Sequence, residues 1–151
     1  MADPRFDVRL VEQPFAAHEI LREFTARHPE CGGAASFLGI VRPEGGVTAL
    51  ELTHYEPLTL RGMEELTRSA SDRWPLDGLL VCHRVGRMAP GESIVLVAAA
   101  ARHRRAAIEA VDFTMDHLKS AAWFWKRELR GGAWRWIEPR PEDYADLARW
   151  S

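Results

Sequence analysis

Two apolar segments joined by a short turn constrain the fold of this chain more than any other feature. The segments read GLLVCHRVG (residues 78–86) and SIVLVAAAA (residues 93–101), and the turn between them reads RMAPGE. Short apolar runs bounded by glycine and proline are typical of buried strands. The longest run, IVLVAAAA, is far shorter than the roughly 20 residues that a membrane-spanning helix needs. We therefore expect two core strands and no membrane span.

Periodic segments on both sides of this pair indicate further strands and helices, without internal repeats. A helical pattern after the second strand places Ile108, Val111, Met115 and Leu118 on one face. The remaining pattern predicts strands over residues 6–11, 34–42 and 47–55, and helices over residues 14–27 and 57–73. This layout predicts an α+β fold.

Length, charge and cysteine content limit the class of protein. With 151 residues, 46% of them hydrophobic, the chain is expected to form a single domain over residues 1–151. A net charge of −2 argues against nucleic acid or an anionic membrane as a partner. Cys31 and Cys82 lie far apart and form no CxxC motif, so no metal site is expected. The segment MADPRFDVRL lacks the features of a signal peptide, which favours a cytoplasmic location.

The sequence near the C-terminus predicts a β-hairpin. Gly131-Gly132 separates WFWKRELR from AWRWIEP, and two glycines between strand-like segments favour a two-residue turn. In that register Glu128 lies opposite Arg135, and Arg127 lies opposite Trp136, which allows a charge pair and a cation–π pair. The hairpin places Lys126 on a strand.

Lysine is rare in this chain: among 20 basic residues only Lys119 and Lys126 are lysines. Burial can lower the pKa of a lysine, whereas arginine stays charged, so the two lysines are candidate catalytic amines. Two alternatives remain open at this stage. Lys119 can pair with Asp116 on a solvated helix face, and Lys126 can be a charged residue that protects an edge strand.

A second candidate site is the basic cluster RHRR at the start of the third helix. The positive charges of His103, Arg104 and Arg105 there oppose the helix dipole, which is unfavourable unless an anion is bound, so these residues are candidates for a phosphate or carboxylate site. The alternative is a solvated basic turn with His103 as a helix cap. Arg42, at the end of an apolar strand, is a further candidate, with an ordinary solvated strand end as its alternative.

Four motifs, in this order and spacing, resemble the catalytic large subunit of molybdopterin synthase, the MoaE family. They are SFLGIVR, HRVGRMAPGE, RHRRAAIEAVDFTMDHLK and FWKRE. The resemblance implies an α/β-hammerhead fold, a mostly antiparallel sheet with packed helices and a C-terminal hairpin. It also implies a homodimer, with a small ubiquitin-like sulfur-carrier subunit, similar to MoaD, bound to each chain. The loop after Arg42 is shorter than is usual in the family.

The resemblance also implies a reaction and a set of site residues. The family transfers two sulfurs from the thiocarboxylated C-terminus of the small subunit to cyclic pyranopterin monophosphate, forming the dithiolene of molybdopterin, without a cofactor. By position, the catalytic residues are Lys119 and Lys126. The substrate-binding residues are Arg42, His103, Arg104, Lys119, Lys126, Arg127 and Glu128.

Two other functions remain compatible with the residues. A non-catalytic module that binds a phosphoester or a pterin would use the arginines and leave the lysines idle. A small Schiff-base enzyme would need one reactive lysine and no protein partner.

Overall fold

The computed structural model describes residues 3–121 and 123–151 and contains two four-stranded sheets and four α-helices. The strands are β1 (Phe6–Val11), β2 (Gly33–Ile40), β3 (Val47–His54), β4 (Leu76–Arg84), β5 (Gly86–Met88), β6 (Ser93–Ala101), β7 (Phe124–Arg130) and β8 (Ala133–Ile137). The helices are α1 (Ala17–Arg27), α2 (Leu58–Arg73), α3 (Arg104–Ser120) and α4 (Pro141–Ala148).

The first sheet has the strand order β1-β4-β6-β2, and only its β1–β4 pair is parallel. Alternate residues of its two central strands face opposite sides, as a period of two requires. Leu79, Val81 and Val97 pack under α2 and α3, whereas Leu80 and Leu96 pack under α1. The two apolar segments therefore form a sheet that is covered on both faces.

The second sheet has the order β5-β3-β7-β8 and is antiparallel throughout. Its hairpin has the predicted register, with Glu128 opposite Arg135 and Arg127 opposite Trp136. Gly131 and Gly132 have φ angles of 58° and 79°, which is the left-handed region that a two-residue turn of this type needs. The predicted α+β fold with mostly antiparallel sheets and a C-terminal hairpin is confirmed.

Several boundaries differ from the sequence predictions. Helix α1 begins at Ala17 rather than at residue 14, and strand β2 ends at Ile40 rather than at residue 42. The segment GLLVCHRVG is split, because the chain leaves the first sheet after Arg84 and continues as β5 of the second sheet. Helix α4 was not predicted.

The buried face of α3 also differs from the predicted one. Ile108 is 55% exposed, whereas Ala107, Ala110 and Thr114 are buried. These small side chains face the sheet and allow the helix to approach it closely. The buried face is therefore centred on them, and Ile108 lies outside it. Among the residues described above, no helix is long and apolar enough to cross a membrane.

Candidate functional site

Two adjoining cavities lie between the edge strand β2, the C-terminal end of α3 and the inner face of the second sheet. Their volumes are about 310 and 420 Å³. Both are lined by Arg42, Lys119 and Lys126, together with the apolar side chains of Ile40 and Leu50. We call these two cavities together the cleft.

The two lysines reach the cleft from different elements. Lys119 lies in the last turn of α3, and the chain then turns into β7, where Lys126 is the third residue. Lys126 pairs with Leu52 of β3 on one side and Ile137 of β8 on the other. The structure therefore brings together two amines whose convergence could not be derived from their spacing.

The geometry rejects both alternative interpretations of the lysines. Strand β7 lies between β3 and β8, so Lys126 does not protect a sheet edge. Asp116 accepts hydrogen bonds from Arg149 Nη2 at 2.6 Å and from Trp150 Nε1 at 2.7 Å, and it forms no ion pair with Lys119 among the described residues. Neither lysine has the structural role that would explain its presence by itself.

The environment of Lys126 favours the neutral amine. Burial lowers the pKa of Lys126, and the positive charges of Lys119 and Arg42 lower it further, while Glu128 and Asp143 oppose the shift. An amine with a lowered pKa can accept a proton closer to neutral pH than an ordinary lysine can. The cleft thus holds one amine that is suited to acid–base chemistry.

Arg42 and Glu128 lie beside these lysines. Arg42 follows the end of β2, is largely exposed, and has Glu44 as a distant ion-pair partner at 3.8 Å. Glu128 shares a strand face with Lys126 and accepts a hydrogen bond from Arg130 Nη2 at 2.8 Å, rather than from the predicted partner Arg135. The weakly paired Arg42 guanidinium is available to an anion in the cleft.

Arg127 points to the opposite face of the second sheet, because neighbouring residues of a strand alternate. Its Nε donates to Glu51 Oε1 at 2.7 Å, and its guanidinium lies 4.2 Å from the ring of Trp134 and 5.7 Å from that of Trp136. The predicted cation–π pair with Trp136 is present, but Trp134 is closer. Within this chain Arg127 does not line the cleft.

His103 and Arg104 lie at the other end of α3. Arg104 is the first residue of the helix, so about 22 Å separate it from Lys119 at 1.5 Å per residue. Both side chains are exposed, and His103 occupies the N-cap position of α3, as the alternative predicted, although its side chain forms no capping hydrogen bond. In one chain these two residues and the lysines do not form a common pocket.

Three further titratable residues line the larger cavity and were not predicted as site residues: His83, Arg140 and Asp143. Arg140 and Asp143 belong to the start of α4, where the Asp143 carboxylate accepts a hydrogen bond from the Arg140 backbone N–H at 2.9 Å. The sequence RPED carries the signal for this helix start, with proline at the first position and two acidic residues after it. That signal could have identified α4, although not its position over the cleft.

Residues 10–121 match the family model described as MoaE protein. The chain belongs to the MoaE family. The resemblance inferred from the four sequence motifs is thereby confirmed, and the match extends through Lys119 at the end of α3.

Similar proteins support membership of the MoaE family over nearly the whole chain. The molybdopterin synthase catalytic subunit of Caulobacter vibrioides is 45% identical over 144 residues, which cover 95% of this chain and 96% of the relative. The subunit of the same name from Escherichia coli is 40% identical over 91% of this chain and 93% of the relative. A molybdopterin biosynthesis MoaE protein from Burkholderia ambifaria is 39% identical, with a TM-score of 0.82 over 95% of this chain and 97% of that chain.

Proposed function

We propose that this chain is the catalytic subunit of a molybdopterin synthase and acts as a sulfurtransferase. The observation that carries the proposal is the placement of the two lysines of the chain in one cleft, although they come from different elements. Relatives that are 40% and 45% identical over more than nine tenths of the chain bear that name. The proposal includes the organisation of residues 1–151 as one domain.

The reaction requires proton transfer at two carbons of the substrate. Each sulfur transfer needs attack on a side-chain carbon of cyclic pyranopterin monophosphate, loss of oxygen, and hydrolysis of the acyl intermediate on the partner's C-terminus. Proton donors and acceptors must therefore lie beside the reacting carbons. Lys119 and Lys126 are the residues to which we assign these roles, and the lowered pKa of Lys126 supports its role as a proton acceptor.

The phosphate of the substrate requires a fixed site for an anion. Arg42 supplies a guanidinium at the cleft, and Glu128 lies beside Lys126 on the same strand face. His103 and Arg104 lie too far from the lysines within one chain, so we assign them to the pocket of a second protomer in a homodimer. Arg127 is held by Glu51 outside the cleft, and any contact with substrate requires it to leave that ion pair.

The proposed partner is a small ubiquitin-like, MoaD-like subunit with a C-terminal thiocarboxylate. Its extended tail must deliver sulfur to the lysines, and the cleft runs along β2, a strand at the edge of the first sheet. A cytoplasmic location, as predicted from the sequence, belongs to this proposal. The alternative, a non-catalytic module that binds a phosphoester or pterin, gives no role to the half-buried Lys126.

Reconstitution tests the proposal directly. The pure chain is mixed with a thiocarboxylated ubiquitin-like partner and cyclic pyranopterin monophosphate, and dithiolene product is measured. We expect product that depends on both components. A lack of product under conditions in which a known synthase is active would reject the proposed function.

Binding of the substrate tests the anion site separately. We expect Arg104→Ala to weaken binding of cyclic pyranopterin monophosphate by about 1.5–3 kcal/mol, the usual contribution of a hydrogen bond to a charged group. Isothermal titration calorimetry measures the change, and Arg68→Ala on the exposed side of α2 is the control. Unchanged affinity in Arg104→Ala would place the phosphate elsewhere.

A further inference from the structure

His83 lies at the floor of the cleft and is held rigidly. It is near the end of β4, which pairs with β1 on one side and β6 on the other. Its ring stacks on Phe124 with a centroid distance of 4.1 Å and an interplanar angle of 16°, and the residue is only 6% exposed. The same ring lines the cavity that contains Lys119 and Lys126.

The hydrogen bond at Nδ1 of His83 determines whether Nε2 carries a hydrogen. His83 Nδ1 lies 2.9 Å from the backbone carbonyl of Arg84, and a carbonyl can only accept, so Nδ1 carries the hydrogen. In the neutral ring Nε2 is therefore a hydrogen-bond acceptor. Among residues 3–121 and 123–151, Nε2 has no hydrogen-bond partner. A nearly buried acceptor of this kind is expected to find a donor from the cleft.

The charged groups around the cavity are mostly cations. They come from the loop after β2, from α3, from β7 and from α4, and they are Arg42, Lys119, Lys126, Arg140 and Asp143. Burial lowers the pKa of His83 to about 4, and among these groups Lys119 adds to that effect through its positive charge. The ring is thus neutral at pH 7, and Lys119 is the cation of this set whose charge acts on it.

We propose that His83 is a positioning residue for Lys119, whose ammonium group donates a hydrogen bond to Nε2 of the ring. The Lys119 side chain is exposed, and rotation of its flexible stem carries the amine from the mouth of the cleft towards its floor. The bond fixes the amine beside Lys126, where a substrate carbon has to lie. The role in sulfur transfer rests on the proposed function, whereas the hydrogen bond itself does not.

This arrangement gives the two lysines different roles. The hydrogen bond to His83 holds the Lys119 ammonium beside the substrate carbon as the proton donor. Burial lowers the pKa of Lys126 and makes it the proton acceptor. Two titratable groups whose environments differ in this way are the usual sign of an acid–base pair. His83 is the residue that makes the environment of Lys119 different from that of Lys126.

Chemical labelling of the amines tests the hydrogen bond without substrate or partner. The full chain is treated with a trace of acetic anhydride between pH 6 and 10, with an added lysine peptide as reference, and labelling of Lys119 is measured by peptide mass spectrometry. In His83→Phe, which keeps the stacking on Phe124 but lacks the acceptor, we expect Lys119 labelling at pH 8 to increase at least threefold. His83→Gln, which restores an acceptor, should return labelling towards the wild-type value.

A second histidine provides the matched control. His54 is also mostly buried and hydrogen-bonded, with Nδ1 3.2 Å from Thr59 Oγ1, but it does not line the cleft. His54→Phe should leave Lys119 labelling unchanged. Equal labelling of Lys119 in wild type and in a folded His83→Phe chain would overturn the proposal.

Nuclear magnetic resonance of the wild-type chain provides a test that requires no folded His83 variant. The ¹⁵N spectrum should show His83 protonated at Nδ1 and unprotonated at Nε2, and the Nε2 signal should move in Lys119→Met. The opposite tautomer, or a signal that Lys119→Met leaves unchanged, would reject the proposal.

The pH dependence of sulfur transfer then separates the two proposals. His83→Phe should move the alkaline limb of the single-turnover rate profile to lower pH, because the charged amine loses its acceptor, and His83→Gln should restore it. If labelling responds as expected while reconstitution yields no product, the proposed function fails and the placement of Lys119 by His83 stands. If product forms but neither labelling nor the pH profile responds to His83→Phe, the placement fails alone.

Discussion

At the scale of single residues, the cleft depends on a property that lysine has and arginine lacks. The pKa of an amine responds to burial and to nearby charges, as at Lys126, whereas a guanidinium remains protonated in almost any environment. The other eighteen basic residues are arginines. Arg127 and Arg149 show their role as fixed charges and hydrogen-bond donors in ion pairs with acidic residues.

Conservative replacement of the lysines tests this reasoning. Lys119→Arg and Lys126→Arg each retain the charge and are expected to keep the fold, yet each should reduce sulfur transfer about 100-fold or more, the usual contribution of a positioned acid or base. The reconstituted assay measures the loss. Arg135→Lys, the reverse substitution at an exposed position of the hairpin, is the control and should leave the rate unchanged. If both lysine variants turn over at nearly the wild-type rate, the argument for an amine is wrong.

The lowered pKa of His83 predicts that the folded chain loses stability in mild acid. Its folded pKa of about 4 is below the ordinary value of 6.5, so the unfolded chain binds the proton first as the pH falls. Stability is complete above pH 6.5 and decreases towards pH 4, by at most about 3 kcal/mol. Urea denaturation at pH 7, 5.5 and 4.5 measures the decrease.

The matched variant for this prediction is His83→Phe, which should show little decrease over the same interval. The carboxylates of Asp7 and Glu92 have pKa values lowered from 3.8 and 4.5, so their stabilisation begins to be lost only at the acid end of this interval, and it is lost equally in both chains. A decrease of equal size in His83→Phe and wild type would assign the acid sensitivity to other groups.

At the scale of secondary-structure elements, the hairpin turn was predicted correctly from the sequence, whereas the ends of several helices and strands were not. The register of the β7–β8 hairpin follows from two adjacent glycines, because both positions need a positive φ. The alternation along β7 also places Lys126 and Glu128 on one face and Arg127 on the other, and this pattern was available in the sequence. Helix α4 was missed although the residues RPED carry its start signal.

The hairpin turn predicts that two substitutions of Gly131 will differ in their effect on stability. Gly131→Val should destabilise the chain by about 1–2 kcal/mol, because a β-branched residue is disfavoured at a φ of 58°. Gly131→Asn should be nearly neutral, since asparagine tolerates this conformation. Gly33→Ala, in β2 with open space around the added Cβ, is the control. Chemical denaturation gives the differences, and equal stability of the valine and asparagine variants would contradict the conformational explanation.

At the scale of the whole molecule, α3 separates two groups of site residues. His103 and Arg104 precede or begin the helix, and Lys119 lies in its last turn, so one small pterin cannot contact both ends of the same helix. A homodimer in which each pocket combines the start of one α3 with the end of the other removes this difficulty. The shared pocket remains a prediction.

Mixing two inactive variants tests the shared pocket. Arg104→Ala and Lys126→Ala chains should each have low activity alone, and together they should recover part of it, because some mixed dimers contain one pocket with all its residues intact. Subunit exchange is verified by native mass spectrometry. If exchange occurs and activity stays at the level of the separate variants, each pocket is formed within one chain.

The sequence by itself determined the features that depend on neighbouring residues. Buried strands, helix periodicity and the hairpin turn all follow from local side-chain patterns and backbone preferences, and the four motifs identified the family. It also singled out the lysines, because their scarcity among basic residues is visible without a structure.

Only the tertiary structure decided which of these residues meet. Lys119 and Lys126 converge because β7 returns along β3 beside the end of α3, and His83 and Arg140 join them from distant parts of the chain. Ile108 is exposed although it fits the helical stripe, because small residues on the neighbouring face pack against the sheet. Such contacts depend on how whole elements pack, and packing is determined by the combined shape of many side chains rather than by any local pattern.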